Sequence, residues 1–443
     1  MSHFKSSRSV IAVKGNILYF TEDPRIAGDK AWHYHPDGML LIENGIIQFA
    51  GDRCDCPAHE EAVTTGYDYS GKLILPGFVD THIHPPQLSI IASNSTELLH
   101  WLDTYTFPEE GRFADPEVCR RGAERYFDET LKNGTTTSLA MATVHAESAE
   151  ALFREAEKRN LRFVTGKTLM DRNAPDFLTD TPESAFDESL SLIERWHGKG
   201  RLGYAVTPRF AVTSTPQQLD AAQALMKEAD GLIMHTHLSE NHEEIRTVRE
   251  LFPKAENYLD VYDHFGLVGK GSLFAHAIHL SEGEYERLAD SGAAVSFCPS
   301  SNLFLGSGLF RMDNAERHSI SVGLGSDVGG GTSFSQLYTM AEGFKVCQLC
   351  RTPLAATTAF YLATLGGARS LGLETRIGSF QKGSEADFLV LDPEATPLAA
   401  RRTTRTESLE ERLFVLMILG DDRFITATHI MGKPAYTRSE ERL

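Results

Sequence analysis

The 443-residue sequence predicts an α/β fold: a (β/α)₈ TIM-like barrel joined to a small β-sandwich domain built from both chain ends. Three observations carry this. From residue 72 onward, eight short apolar runs alternate with stretches that bear helix start and stop signals. No glycine-rich βα turn follows the first run, as a doubly wound nucleotide-binding sheet would need. Alternating strand patterns occur at both termini and not between them. The expected division is 1–71 and 375–443 for the two parts of the β domain, with 72–374 as the barrel.

The N-terminal runs "SVIAVKGNILYF" and "GMLLIENGIIQFAG" alternate in strand fashion and contain Gly-Asn and Asn-Gly pairs that read as turns. The barrel runs follow in order: "LILPGFVDTHIH", "TTTSLAMATV", "LRFVTGKTLM", "RLGYAVTPRF", "GLIMHTHLSE", "SLFAHAIHL", "AAVSFCPS" and "SVGLGSDVG". Helix signals lie between them. Asp115 reads as an N-cap, with Pro116 at the first helical position and Gly134 beyond the end. "TPQQ" at 215–218 and "SEGE" at 281–284 read as capping boxes, and Gly292 closes the second helix. The polar "ATPLAARRTTRTESLEER" reads as an exposed connection.

Composition narrows the function classes. With 43 basic and 61 acidic residues the net charge is −18, which repels a phosphate backbone and argues against nucleic acid. No apolar stretch is long enough to span a bilayer, and the N-terminus has no signal-peptide core, so a cytoplasmic protein is expected. Six cysteines are too few for a disulfide framework, and Cys347 and Cys350 sit in a helical pattern.

The chemistry is expected at the C-terminal ends of the barrel strands. His82 and His84 alternate onto one strand face. His237 ends the fifth run, and His235 falls one layer deeper. His276 lies within the sixth run, whereas His279 falls where the next helix begins. Asp327 closes the eighth. Imidazoles and a carboxylate around an open position suit zinc, which would lower the pKa of a bound water. Glu240 stands three residues after His237 and could carry protons, although acidic residues are also ordinary at helix starts.

"PGFVDTHIH", "HLSE", "AHAIHL" and "GSD" resemble the amidohydrolase superfamily, in its aromatic aminohydrolase branch. "LLHWLDTYTFPEE", "LMDRNAP", "TPRFA", "CPSSNLFLGSGLF" and "YLATLGGARSLGL" are similar to its guanine-deaminating members, over almost the full length. The resemblance implies one zinc per chain, held by His82, His84, His237 and Asp327, with His276 against the metal water and Glu240 shuttling protons. It implies that Gln87, Arg209 and Phe210 read the purine. Pro85 and Pro86 depart from the usual pattern, which bears on the position of Gln87. "YAVTPRF" lacks the strand-four lysine of two-metal relatives. The implied reaction is hydrolytic deamination of guanine to xanthine and ammonia, with Asp327 accepting the proton of the water, by a homodimer. Arg209 can only donate, so it suits the O6 acceptor of guanine over the amine of adenine. A pterin presents the same 2-amino-4-oxo edge, so it and other heteroaromatic amines remain alternatives, as does a barrel scaffold without chemistry.

Overall fold

The computed structural model describes residues 10–57, 63–94 and 97–439. The N-terminal segment supplies β1 (Val10–Phe20), β2 (Trp32–Glu43), β3 (Ile46–Asp52) and β4 (Thr65–Pro76). The barrel segment supplies β5 (Phe78–Ile83), β6 (Thr135–Met141), β7 (Arg162–Gly166), β8 (Thr168–Leu169), β9 (Leu202–Pro208), β10 (Ile233–Leu238), β11 (Ser272–His276), β12 (Ala294–Phe297) and β13 (Ser321–Leu324). The C-terminal segment adds β14 (Phe388–Leu391), β15 (Ile425–Ile430) and β16 (Lys433–Thr437).

The parallel barrel runs β5-β6-β7-β9-β10-β11-β12-β13, with β8 as a short continuation of β7 that pairs with β9. Every residue of β5, β6, β11 and β12 is buried, as expected for parallel strands covered by helices outside and side chains inside. First and last strands meet at their C-terminal ends. The His84 amide donates to the Val328 carbonyl and the Asp327 amide to the His82 carbonyl, each at 2.9 Å. This closure sets His82, His84 and Asp327 side by side.

Local signals explain much of the helical ring. Asp115 caps the helix Pro116–Lys132 by accepting from the Glu117 amide. Ser281 and Glu284 form a reciprocal capping box, and Gly292 ends that helix at φ 72°. At Thr215 only half of the expected box is made: its hydroxyl accepts from the Gln218 amide, but the Gln218 side chain donates instead to Asp180 at 2.7 Å. Cys347 is buried on the helix Gln336–Leu349. Among the described residues no helix is long and apolar enough to cross a membrane.

Both chain ends build the small β unit, in one seven-stranded sheet ordered β16-β15-β14-β4-β1-β2-β3. The sheet curls until its far edge meets the approach to β14, where the Ile47 amide donates to Ser384 and the Ala386 amide to Gly45, both at 2.8 Å. Among the described residues one sheet therefore encloses its own core of Val13, Ile17, Leu40, Ile42, Ile74, Phe388 and Val390, in place of the two facing sheets of the expected sandwich. Asn44 and Gly45 make the expected turn with positive φ, but Gly15-Asn16 is a register shift inside the continuous β1. The expected exposed connection at 395–412 contains the helix Pro397–Thr403 and the start of Leu409–Leu419, capped by Thr396 and Ser408 and anchored by buried Ala399 and Leu413.

Candidate active site

Side chains from four strand ends converge at the barrel mouth. His82 is fully buried on β5, and His84 follows at the strand end. His237 stands on β10, His276 ends β11, and Asp327 follows β13. The backbone is in the left-handed region at His276 (φ 68°) and Asp327 (φ 50°), conformations uncommon for these residues and concentrated where function holds them. The glycines after Asp327 let the chain fold back against itself: a Cβ on Gly331 would lie 1.7 Å from the Ser326 carbonyl oxygen.

The His84 Nε2 lies 3.2 Å from the Nε2 atoms of both His82 and His237. Asp327 Oδ1 lies 3.2 Å from His82 Nε2 and 3.3 Å from His84 Nε2. The His237 Nδ1 donates to the Arg209 carbonyl at 2.7 Å, which leaves its Nε2 as a lone-pair donor. His82 Nδ1 pairs with His235 Nε2 at 2.7 Å, so His235 supports the ring from one layer below. Burial pushes the His82 imidazole down to about 4 and holds His237 well below its ordinary value. Burial alone would raise Asp327, but His82 and its neighbours hold it far below the usual carboxylate range. Neutral imidazoles and an ionised carboxylate are the protonation states a divalent cation requires. His84 Nε2 and Asp327 Oδ1 thus lie within 3.2–3.3 Å of each other and of His82 Nε2, and His237 Nε2 within 3.2 Å of His84 Nε2, close enough for one ion to be shared. The donor set therefore fits one divalent ion.

His276 borders the same group: one ligand atom from each of His82, His237, His276 and Asp327 falls within 4.8 Å of the others. Its Nδ1 meets Asn302 Oδ1 at 2.8 Å, and its Nε2 faces Glu240 Oε2 at 3.4 Å and Asp327 Oδ2 at 3.7 Å. Burial disfavours a charge on His276, but Glu240 and Asp327 together raise its pKa. Glu240 is itself buried and precedes the helix His242–Leu251, so it is not a solvent-facing helix-start carboxylate. Burial raises its pKa, and Ser307 donates to its Oε1 at 2.8 Å. His279 is outside the cluster and bonds the Ser307 carbonyl at 2.8 Å.

Gln87, Arg209, Phe210, Glu240, His276 and Trp101 line one pocket with the cluster. The two prolines open the 3₁₀ turn Pro85–Ile90, which carries Gln87 inward. Arg209 and Gln87 share a partner that sequence reasoning missed. Glu110, fully buried, accepts from Arg209 Nη1 at 2.8 Å and from Gln87 Nε2 at 2.8 Å. The Gln87 Oε1 is fixed in turn by the Gly329 amide at 3.2 Å. Ser307 was also missed. Neither residue belongs to a periodic pattern, and an acid near a helix end or a serine in a glycine loop carries no signal alone.

The amidohydrolase family signature matches residues 73–434. The chain is 48% identical over 431 residues to the guanine deaminase of Escherichia coli (strain K12), covering 97% of this chain and 98% of that one. It superposes on the solved structure of E. coli guanine deaminase with a TM-score of 0.93 at 47% identity, covering 97% of this chain and 100% of that chain. It is similar too to the C. acetobutylicum guanine deaminase crystallised with guanine in its active site, with a TM-score of 0.87, 29% identity and the same coverage. The chain belongs to the amidohydrolase family and groups within it with the guanine deaminases.

Proposed function

We propose that this protein hydrolyses guanine to xanthine and ammonia. The observation that carries the reading is a single pocket lined by His84, His237 and Asp327 of the cluster together with Arg209 and Gln87, both of which bond the buried Glu110. Arg209 and Gln87 offer donors for a purine edge beside groups able to manage water and protons. Three imidazoles with one carboxylate favour zinc as the resident ion. When bound, such an ion supplies Lewis acidity that brings the pKa of a water toward neutrality.

The chain's own residues manage the rest. Asp327, ionised among its imidazoles, accepts a proton from the attacking water. Glu240, whose pKa burial raises, gives a proton to N3, is reloaded with the proton that the water has lost to Asp327, and passes that second proton to the leaving C2 amine. His276 donates toward the developing charge at C2, oriented by Asn302. Arg209 is held by Glu110 so that its remaining N–H groups face the O6 acceptor, Gln87 supports the same edge, and Phe210 packs against the ring.

We further infer a homodimer, supported by exposed Leu349, Phe414 and Ile418 on the adjoining helices Gln336–Leu349 and Leu409–Leu419. A cytoplasmic location is supported by the six cysteines, all of them free. The proposed domain plan keeps 374/375 but moves the expected 71/72 division to 76/77, because β4 stays in the small sheet through Pro76, paired with β14.

Ammonia release measured over guanine, 2-aminopurine, adenine, a pterin and a triazine tests the reading. Guanine is expected to be the best substrate and adenine to be inert. If Arg209 reads O6, Arg209→Met lowers kcat/KM for guanine on the order of 10–1000-fold and narrows the preference over 2-aminopurine, which lacks O6. An unchanged ratio would remove Arg209 from the six-position.

A further inference from the structure

Trp101 lines the pocket at the turn where the helix Leu98–Trp101 gives way to the wider coil Leu102–Thr106. Its side chain is 3% exposed, and its indole Nε1 is buried without a hydrogen-bond partner among the described residues. An indole N–H can only donate, and a buried one ordinarily finds an acceptor. The other buried indole in this chain does so: Trp196 Nε1 donates to Glu150 at 2.7 Å. The nearest pocket-lining neighbours of Trp101 in sequence, Leu98 and Leu102, carry no side-chain acceptor, and neither does Leu305 across the pocket. An acceptor carried by a substrate in this pocket would satisfy it.

We propose that Trp101 is a substrate-reading residue whose indole N–H donates to the lone-pair nitrogen of the five-membered ring of the purine. This rests on the guanine reading above, which assigns every other acceptor. O6 belongs to Arg209, N3 takes its proton from Glu240, and N1 and the C2 amine are donors. The imidazole-ring lone pair, at N7 or N9 according to tautomer, is the acceptor left over. Trp101 lies nine residues before Glu110 on the same excursion of chain, so one segment both orients Arg209 and Gln87 and presents this third donor.

The test compares guanine with 7-deazaguanine, which keeps O6, N3 and the amine but whose five-membered ring carries only an N–H and no lone-pair acceptor. In wild type, kcat/KM for guanine should exceed that for 7-deazaguanine by on the order of 10-fold or more, the discrimination expected when a buried donor is left unpaired. In Trp101→Phe the preference should shrink to within about 3-fold, mainly through loss on guanine. Should that protein not fold, Trp101→Leu, which also lacks the donor, carries the same expectation. A wild type indifferent to the deaza change, or a preference unaltered by the substitution, would overturn the inference and leave the guanine reading standing. A wild type that releases no ammonia from guanine would overturn both.

Discussion

Two buried polar clusters sit at opposite ends of the barrel and solve different problems. At the foot, Arg201 from the start of β9 and Arg162 from the start of β7 meet Glu385 and Asp387 from the approach to β14. Two cations face two anions. Arg201 Nε and Nη2 donate to Glu385 at 2.9 and 2.6 Å, its Nη1 reaches the Asn160 carbonyl at 2.7 Å, and the Met431 amide bonds Asp387 at 2.8 Å. Burial alone would raise Glu385, but Arg162 and Arg201 hold it below its ordinary pKa. At the mouth, four imidazoles crowd around Asp327 and Glu240; His276 Nε2 faces Glu240 at 3.4 Å and Asp327 at 3.7 Å, and the Nδ1 of His84 and the Nε1 of Trp101 have no hydrogen-bond partner among the described residues. The foot is complete within the chain and fastens the small sheet to the barrel. The mouth instead gathers imidazole nitrogens and carboxylates that are not satisfied by one another, a donor set that fits a divalent ion. Burial of charge alone does not distinguish structure from function; whether the groups satisfy one another does.

Substitutions on each side sharpen this contrast. The largest effect is expected at the mouth: Glu240→Gln removes the proton carrier and should lower kcat by roughly 10²–10⁴-fold, with metal content and thermal unfolding near wild type. Near-normal turnover would return Glu240 to a structural role. At the foot the pattern inverts. Arg201→Met leaves Glu385 and Asp387 facing each other with too little positive charge, and should cost about 3–5 kcal/mol in denaturant unfolding while kcat/KM of the folded fraction stays close to wild type. A catalytic loss larger than the stability loss would break the division between the two ends.

A smaller effect is expected in the curled sheet. Burial pushes His429 from 6.5 down to about 4, and its neutral ring bonds the Tyr69 hydroxyl at 2.8 Å. Between those values the unfolded chain binds a proton that the folded one refuses, so stability falls as pH drops from 6.5 toward 4 and levels off below. The unfolding midpoint of His429→Gln should decline less steeply than that of wild type across this window, with a residual slope from His82 and His237, whose pKa values are also depressed. Parallel profiles would remove His429 from the account.

The foot and mouth also differ in how far they were legible. The eight strands were readable because parallel strands buried on both faces leave dense apolar runs, and His82, His84, His237 and Asp327 because strand alternation and strand ends fix where side chains go. Glu110 and Trp101 lie in the long excursion between β5 and the helix Pro116–Lys132, where helix, coil and turn succeed one another without a period. The part Glu110 plays exists only through its contacts with Arg209 and Gln87, and the role proposed for Trp101 only through a substrate. Arg201 and Glu385 are 184 positions apart, a pairing no local pattern encodes. The helices at 397–403 and 409–419 did carry signals, Thr396-Pro397 and Ser408 three before Glu411, but a run of arginines masked them. The curl of the sheet is likewise a long-range outcome, set by Gly45 and Ile47 meeting Ser384 and Ala386.

On the proposed function the mouth cluster is completed by one ion and works only then. The most direct test is to strip the purified protein of metal and titrate zinc back while following ammonia release from guanine. The account predicts negligible activity at the start, a linear rise, and a plateau at one zinc per chain. Full activity in the stripped protein, or a plateau only at two, would contradict it.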